Sequence, residues 1–144
     1  WMALIGVRQR SRETSLVVSA GTAMTVDALD AKGEFMGGLV LPGIGLMRAA
    51  LQTGTARVAY VAGQWQDFPR CTGDAVETGI TAALCGAILG QYGRLARATH
   101  DAPRCFITGG DAMQLLPHLE LAAEHVSGLV LEGIDSVARK EAGA

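Results

Sequence analysis

Apolar and polar positions divide the chain into a strand-rich first third and a remainder in which helices alternate with strands. Ser15–Ala20, Met24–Leu29 and Glu34–Leu41 are short runs rich in Val, Leu and Met, bounded by Gly, Asp and Lys. Runs of that length between turn-forming residues read as strands. Asp30-Ala31-Lys32-Gly33 joins the second to the third as a hairpin loop, so the three predict an antiparallel meander. Pro42 ends the third strand and opens a helix through about Leu51, with Ile44, Leu46, Met47, Ala50 and Leu51 as its apolar face. Ahead of the meander, Trp1–Gly6 is helical and apolar in character. The polar run Arg8–Thr14 then reads as a solvated turn.

Gln52 to Pro69 shows no sustained period and includes Trp65-Gln66-Asp67-Phe68, which predicts a long, functional or interface-forming connection. Thr72 is a plausible N-cap, and Asp74 complements the dipole of the helix it starts, roughly Asp74 to Thr99. Small residues recur along that helix at Ala75, Gly79, Ala82, Ala83, Gly86, Ala87, Gly90 and Gly93, a spacing that invites close packing or a dimer seam. Arg94, Arg97 and His100 place cations at its negative end. Arg104–Thr108 is a strand, Gly109-Gly110 a turn, Asp111–Leu119 a helix, Ala123–Val126 a strand, and Leu129 to Lys140 a last helix. The order β-β-β-α-α-β-α-β-α puts helices against a mixed sheet, an α/β fold.

With 144 residues the chain fits one domain with a real core. It opens on Trp1 and reads as a piece of something longer. A net charge of −2, with no basic stripe beyond Arg8, Arg10 and Arg12, argues against nucleic acid as a partner. Cys71, Cys85 and Cys105 are odd in number and form no C-x-x-C pair, which points to a reducing cytoplasm rather than a disulfide or zinc framework. His100, His118 and His125 lack metal-ligand spacing. The uncharged window Thr78–Gly93 falls short of the ~20 apolar residues a membrane span needs, so it reads as a buried helix and no membrane is expected.

Candidate chemistry centres on Ser19-Ala20-Gly21-Thr22-Ala23-Met24-Thr25. A glycine between small residues lets backbone N–H groups approach an anion, and the hydroxyls of Thr22 and Thr25 add donors. The turn reads either as a phosphate-binding hairpin or as an ordinary tight turn. Gly37-Gly38 is likewise either a strand bulge or a close approach to ligand.

Several motifs in order resemble the C-terminal half of the type III pantothenate kinases, members of the acetate and sugar kinase, Hsp70 and actin superfamily. They are Gly21-Thr22-Ala23-x-Thr25-x-Asp27, Gly37-Gly38-x-x-x-Pro42-Gly43, Thr72-x-x-Ala75-x-x-x-Gly79, Thr108-Gly109-Gly110-Asp111-Ala112 and Leu129-x-Leu131-x-Gly133. The resemblance implies one ribonuclease-H-like, actin-like ATPase lobe over residues 1–144, with the N-terminal lobe outside this chain. By resemblance Gly21 and Thr22 contact ATP phosphates, Gly109 and Gly110 lie by the adenosine, and Thr72 contacts pantothenate in a site completed across a homodimer. The implied reaction is ATP plus pantothenate giving 4′-phosphopantothenate and ADP, the opening step of coenzyme A synthesis. Mg²⁺ would balance the phosphates and K⁺ or NH₄⁺ would serve as the monovalent cation.

Two departures accompany the resemblance. Ser19 stands where many members carry a cation-binding aspartate, and a serine oxygen holds potassium more weakly than a carboxylate. The family's N-terminal phosphate loop and its Gly-x-Asp-Arg segment are absent, so the general base is expected just upstream of Trp1. Asp27, Asp74 and Asp111 lie nearest the motifs without a partner that would tune them, and none is assigned as a base. A related small-molecule kinase, a non-catalytic regulatory protein of the same fold, and a structural or dimerisation module are the competing readings.

Overall fold

β1 (Ser15–Ala20) is the strand that must be central, because both of its faces are apolar: Leu16, Val18 and Ala20 point one way and Val17 the other, all buried. The computed structural model describes residues 1–54 and 62–142. α1 (Met2–Arg10) leads into β1, β2 (Ala23–Leu29) and β3 (Phe35–Pro42), followed by α2 (Ile44–Gly54) and α3 (Thr72–Thr99). β4 (Arg104–Thr108), α4 (Ala112–Leu115) with a 3₁₀ turn over Leu116–His118, β5 (Ala123–His125) and α5 (Leu129–Ala142) complete the chain.

The five strands lie in the order β3-β2-β1-β4-β5. β1 pairs antiparallel with β2 and parallel with β4, Ser19 facing Thr25 on one side and Thr108 on the other. β4 and β5 are parallel. An antiparallel meander extended by two parallel strands is the sheet of a ribonuclease-H-like lobe, the architecture the sequence predicts. One core joins Leu16, Val18, Met24, Val26 and Ile107 to α2, α3 and α4 through Ile44, Leu84, Ile88 and Leu115. The other face carries Val17, Phe106 and Leu29 under α1 and α5, through Leu4, Val7 and Leu129.

Four expectations need correction. The polar run is not a free turn from Arg8 onward: α1 continues to Arg10, whose guanidinium donates to both carboxylate oxygens of Glu132 at 2.7 and 2.6 Å. Thr72 is the first helical residue of α3, and the N-cap is Cys71, which makes no side-chain cap bond. The helix expected over Asp111–Leu119 shortens to α4 and a 3₁₀ turn, because Pro117 in that turn has no N–H to give. The small-residue stripe of α3 is not a seam within the chain, since a Cβ built on Gly79 or Gly86 would meet nothing within 4 Å. Close packing occurs instead between α1 and α5, where Gly6 lies against the carbonyl of Leu129 and Gly133 against that of Met2.

Gly37-Gly38 resolves largely as the bulge: Ala28 pairs with Gly37 and Leu29 with Phe35, leaving Met36 between them. The long connection is described from residue 62 onward, and its portion over 55–61 lies outside the described residues.

Candidate functional site

Parallel pairing of β1 with β4 sends the chain out of both strands at the same end of the sheet. From there β1 turns back into the antiparallel meander, whereas β4 continues into a helix on the other side. The crevice beyond the carboxyl ends of strands at such a divergence is where open α/β sheets bind ligands.

Gly109 is what lets the two exits touch. Its φ of 103° is one that side-chain-bearing residues rarely adopt, and a Cβ there would overlap the backbone of Ala20. The amide of Asp111 then donates to the carbonyl of Ala20 at 3.1 Å. The start of α2 forms the third wall: the amide of Gly43 donates to the carbonyl of Thr22 at 2.9 Å, and any side chain on Gly43 would strike the Gly21 carbonyl. The result is a cavity of about 440 Å³ lined by Gly21, Thr22, Gly45, Arg48, Gly110, Asp111 and Gln114, together with Ile44 and Leu46. No residue of α1 lines it.

The groups around this cavity suit an anion. Thr22 is exposed, α2 presents its positive first turn through Ile44 and Gly45, and Arg48 brings a guanidinium whose charge is balanced by Glu77. Arg48 is held by α3, donating from Nε and an Nη to the two oxygens of Glu77 at 2.8 and 2.7 Å. Asp111, the one carboxylate of the wall, accepts from Gln114 Nε2 at 3.0 Å. The structure thus brings Gly21, Thr22 and Gly110 together, with Gly109 as the hinge beside them.

Thr72 is not in that cavity. It lines a neighbouring one of about 700 Å³ between α2 and α3, walled by Leu46, Met47, Leu51, Val76 and Ile80. Leu46 belongs to both cavities, so the first turn of α2 is their shared partition. Arg48, Gln114 and Leu46 were missed from sequence. The signal for Arg48 was available, as the only cation in a helix that starts directly after Pro42-Gly43.

Ser19 lies apart from both cavities. Its register partners are Thr25 and Thr108, so three hydroxyls stand side by side across the sheet, and the nearest carboxylate on that face, Asp27, accepts from Thr25 Oγ1 at 2.9 Å. Asp74 accepts from the Gln64 amide at 2.9 Å. Trp1 caps α1, and its ring meets Phe35 edge-on at the first residue of β3, whereas the Gly43 wall of the cavity follows the last. Among the described residues no three His, Cys, Asp or Glu side chains cluster as a metal site, and no helix is long and apolar enough to cross a membrane.

The cysteines differ sharply in availability. Cys71 is exposed, while Cys85 and Cys105 are buried. Burial raises both buried thiols, that of Cys105 to about 12. The thiolate is the nucleophile, so brief alkylation of the native protein near pH 8 is expected to modify Cys71 alone of these three, with the other two reacting only after denaturation. Peptide mapping by mass spectrometry checks this; native labelling of Cys105 would contradict the burial described.

The family model for type III pantothenate kinase matches residues 1–94. A curated type III pantothenate kinase from Thiobacillus denitrificans is 60% identical over 139 residues, a match that covers 96% of this chain and 57% of the relative. The chain therefore spans little more than half the length of that relative. A solved structure described as a Baf family transcriptional activator from Campylobacter jejuni superposes with a TM-score of 0.67 at 23% identity, over 92% of this chain and 60% of that one. The activator of the 2-hydroxyisocaproyl-CoA dehydratase from Clostridium difficile, with bound ADPNP, gives a TM-score of 0.50 at 10% identity, over 99% and 68%. At those identities the two structures speak for the fold alone.

Proposed function

The chain belongs to the type III pantothenate kinase family, and from that premise we propose that the full-length protein transfers the γ-phosphoryl group of ATP to pantothenate, with residues 1–144 as its C-terminal ATPase-like lobe. The observation that carries this reading is the convergence of the Gly21 turn, the start of α2 and the Gly110–Asp111 segment on one cavity, which shares Leu46 with the cavity that Thr72 lines. Phosphoryl transfer needs positioning and charge neutralisation more than covalent chemistry. Gly21 and Thr22 hold the phosphates, with the α2 amides and Arg48 sharing the charge. Gly109 and Gly110 border the adenosine, and Thr72 orients pantothenate.

Mg²⁺ supplies further neutralisation of the phosphates when bound. A monovalent cation, K⁺ or NH₄⁺, is the finer part of the proposal, because the hydroxyl of Ser19 and its neighbours Thr25 and Thr108 offer oxygen without charge. The general base comes from upstream of Trp1. Asp27, Asp74 and Asp111 are each engaged by a neighbouring donor within the lobe.

A homodimer belongs to the same reading. The outward small residues Ala75, Gly79, Ala82, Ala83 and Gly86 of α3, beside exposed Leu46 and Leu51, leave an apolar face suited to a second copy that completes the pantothenate site. Three free cysteines agree with a cytoplasmic setting.

The test is an ADP-release assay on the full-length protein with pantothenate, across K⁺ and NH₄⁺ concentrations, beside Thr72→Ala. Expected are cation-dependent turnover and a pantothenate KM raised about tenfold in the variant, the worth of one substrate hydrogen bond. Nucleotide binding without turnover under any cation would instead favour a regulatory protein of this fold. Turnover with a different small acid or sugar would favour a related kinase.

A further inference from the structure

The segment that enters α3 is tied down by side chains that neither cavity uses. Trp65 stacks on His118, ring centroids 4.3 Å apart and planes 27° from parallel. On either side of Trp65 the backbone is caught by α3: the Gln64 amide donates to Asp74 Oδ1 at 2.9 Å, and the Gln66 amide donates to Thr78 Oγ1 at 3.0 Å while that hydroxyl returns a bond to the Gln66 carbonyl at 3.3 Å. Gly63 presses so closely on the Gly73–Asp74 peptide that no side chain fits between them. His118 closes the 3₁₀ turn that follows α4, the helix that begins directly after the Gly109-Gly110-Asp111 turn. One aromatic pair therefore joins the first turns of α3, where Thr72 lies, to the element behind the nucleotide-side wall.

We infer that Trp65 and His118 form a clasp that fixes the start of α3 against the α4 region and so sets the position of Thr72 in the apolar cavity. Both are positioning residues: neither lines either cavity, and they act through Asp74, Thr78 and the backbone of Gly73. In its kinetic consequence the inference rests on the kinase reading, because Thr72 is the pantothenate contact only there. The physical case is that Cys71 gives α3 no side-chain cap, so the helix start depends on contacts from outside the helix. The clasp supplies them. A stacked aromatic pair contributes enough, beyond its buried area, to shift an equilibrium about two- to tenfold.

The experiment uses the full-length protein as wild type, Trp65→Ala, Trp65→Phe, His118→Ala and the Trp65→Ala/His118→Ala double variant. Two readouts are taken: steady-state KM and kcat for pantothenate and ATP, and hydrogen exchange of the amides of residues 75–80 against those of β1. With the clasp, Trp65→Ala raises the pantothenate KM about fivefold, leaves kcat and the ATP KM within about twofold, and speeds exchange in α3's first turns but not in β1. Trp65→Phe restores most of both, and the double variant is no worse than Trp65→Ala. Unchanged exchange at residues 75–80 in Trp65→Ala, or a uniform rise that includes β1, overturns the clasp. Faster exchange there with an unchanged pantothenate KM overturns its positioning of Thr72. A wild type that exchanges as expected but does not phosphorylate pantothenate defeats the kinase reading instead, and the exchange data still decide the clasp.

Discussion

Gly109→Ala is expected to destabilise the lobe by about 3 kcal/mol or more and to abolish nucleotide binding with it. Two costs add. A non-glycine residue at φ 103° is strained by about 1–2 kcal/mol, and the new Cβ falls on the backbone of Ala20, which β1 cannot withdraw because it is paired on both edges. Relief would require the Gly109 turn to lift off β1, which breaks the Asp111-to-Ala20 hydrogen bond and opens the cavity. Gly110→Ala is the control. Its φ is not positive and its Cβ would meet nothing within 4 Å, so stability should stay within about 0.5 kcal/mol, and any loss of nucleotide affinity would report contact at the wall. Denaturant midpoints and calorimetric titration with an ATP analogue measure the two effects. A Gly109→Ala protein as stable as Gly110→Ala would refute the close approach.

The second large effect is expected away from both cavities. Gly133→Ala should cost about 2–4 kcal/mol, because its Cβ would land on the Met2 carbonyl, a backbone atom that cannot rotate aside. α5 must then shift along α1, disturbing Leu129, which sits fully buried between Gly6, Val17 and Phe106, and the paired Arg10 and Glu132. Exchange protection should fall in α1 and α5 while the Gly21 turn keeps its own. Equal loss everywhere, or a midpoint unchanged from wild type, would contradict this account. In the motif Leu129-x-Leu131-x-Gly133 the glycine is thus explained by helix packing, without a ligand.

Most of the fold was legible because local chemistry and tertiary demand agreed. The Val-rich strands, the Asp30–Gly33 hairpin, the stop at Pro42 and the helix ending near His100 all stand close to where the periodicity put them. Two of the failures share one cause, a long-range partner that sequence spacing does not display, whereas the shortness of α4 follows from Pro117, which stands in the sequence itself. α1 runs past Arg8 because Glu132 on α5 receives Arg10. The glycines that allow close helix approach are single ones, Gly6 and Gly133, whereas the conspicuous row on α3 faces outward. At the site, the turns themselves were recognisable from glycine and threonine. The partition at Leu46 depends on how α2 is aimed by the Gly43-to-Thr22 bond, which no pattern in residues 44–54 encodes, whereas Arg48 stood out as the one cation of that helix.

β1 ends as the middle strand of five, yet it acquires its second neighbour late. β2 and β3 follow it within a few residues, while Arg104, which pairs with Ser15, belongs to a strand made only after α2 and α3. At ribosomal rates of about 5–20 residues per second, the strand that carries Leu16, Val17 and Val18 stands as an open edge for on the order of 5–20 s. An apolar edge left unpaired for that time is a template for another chain. During the interval before β4 arrives, β1 is expected to present an edge open to aggregation, one that a chaperone could cover.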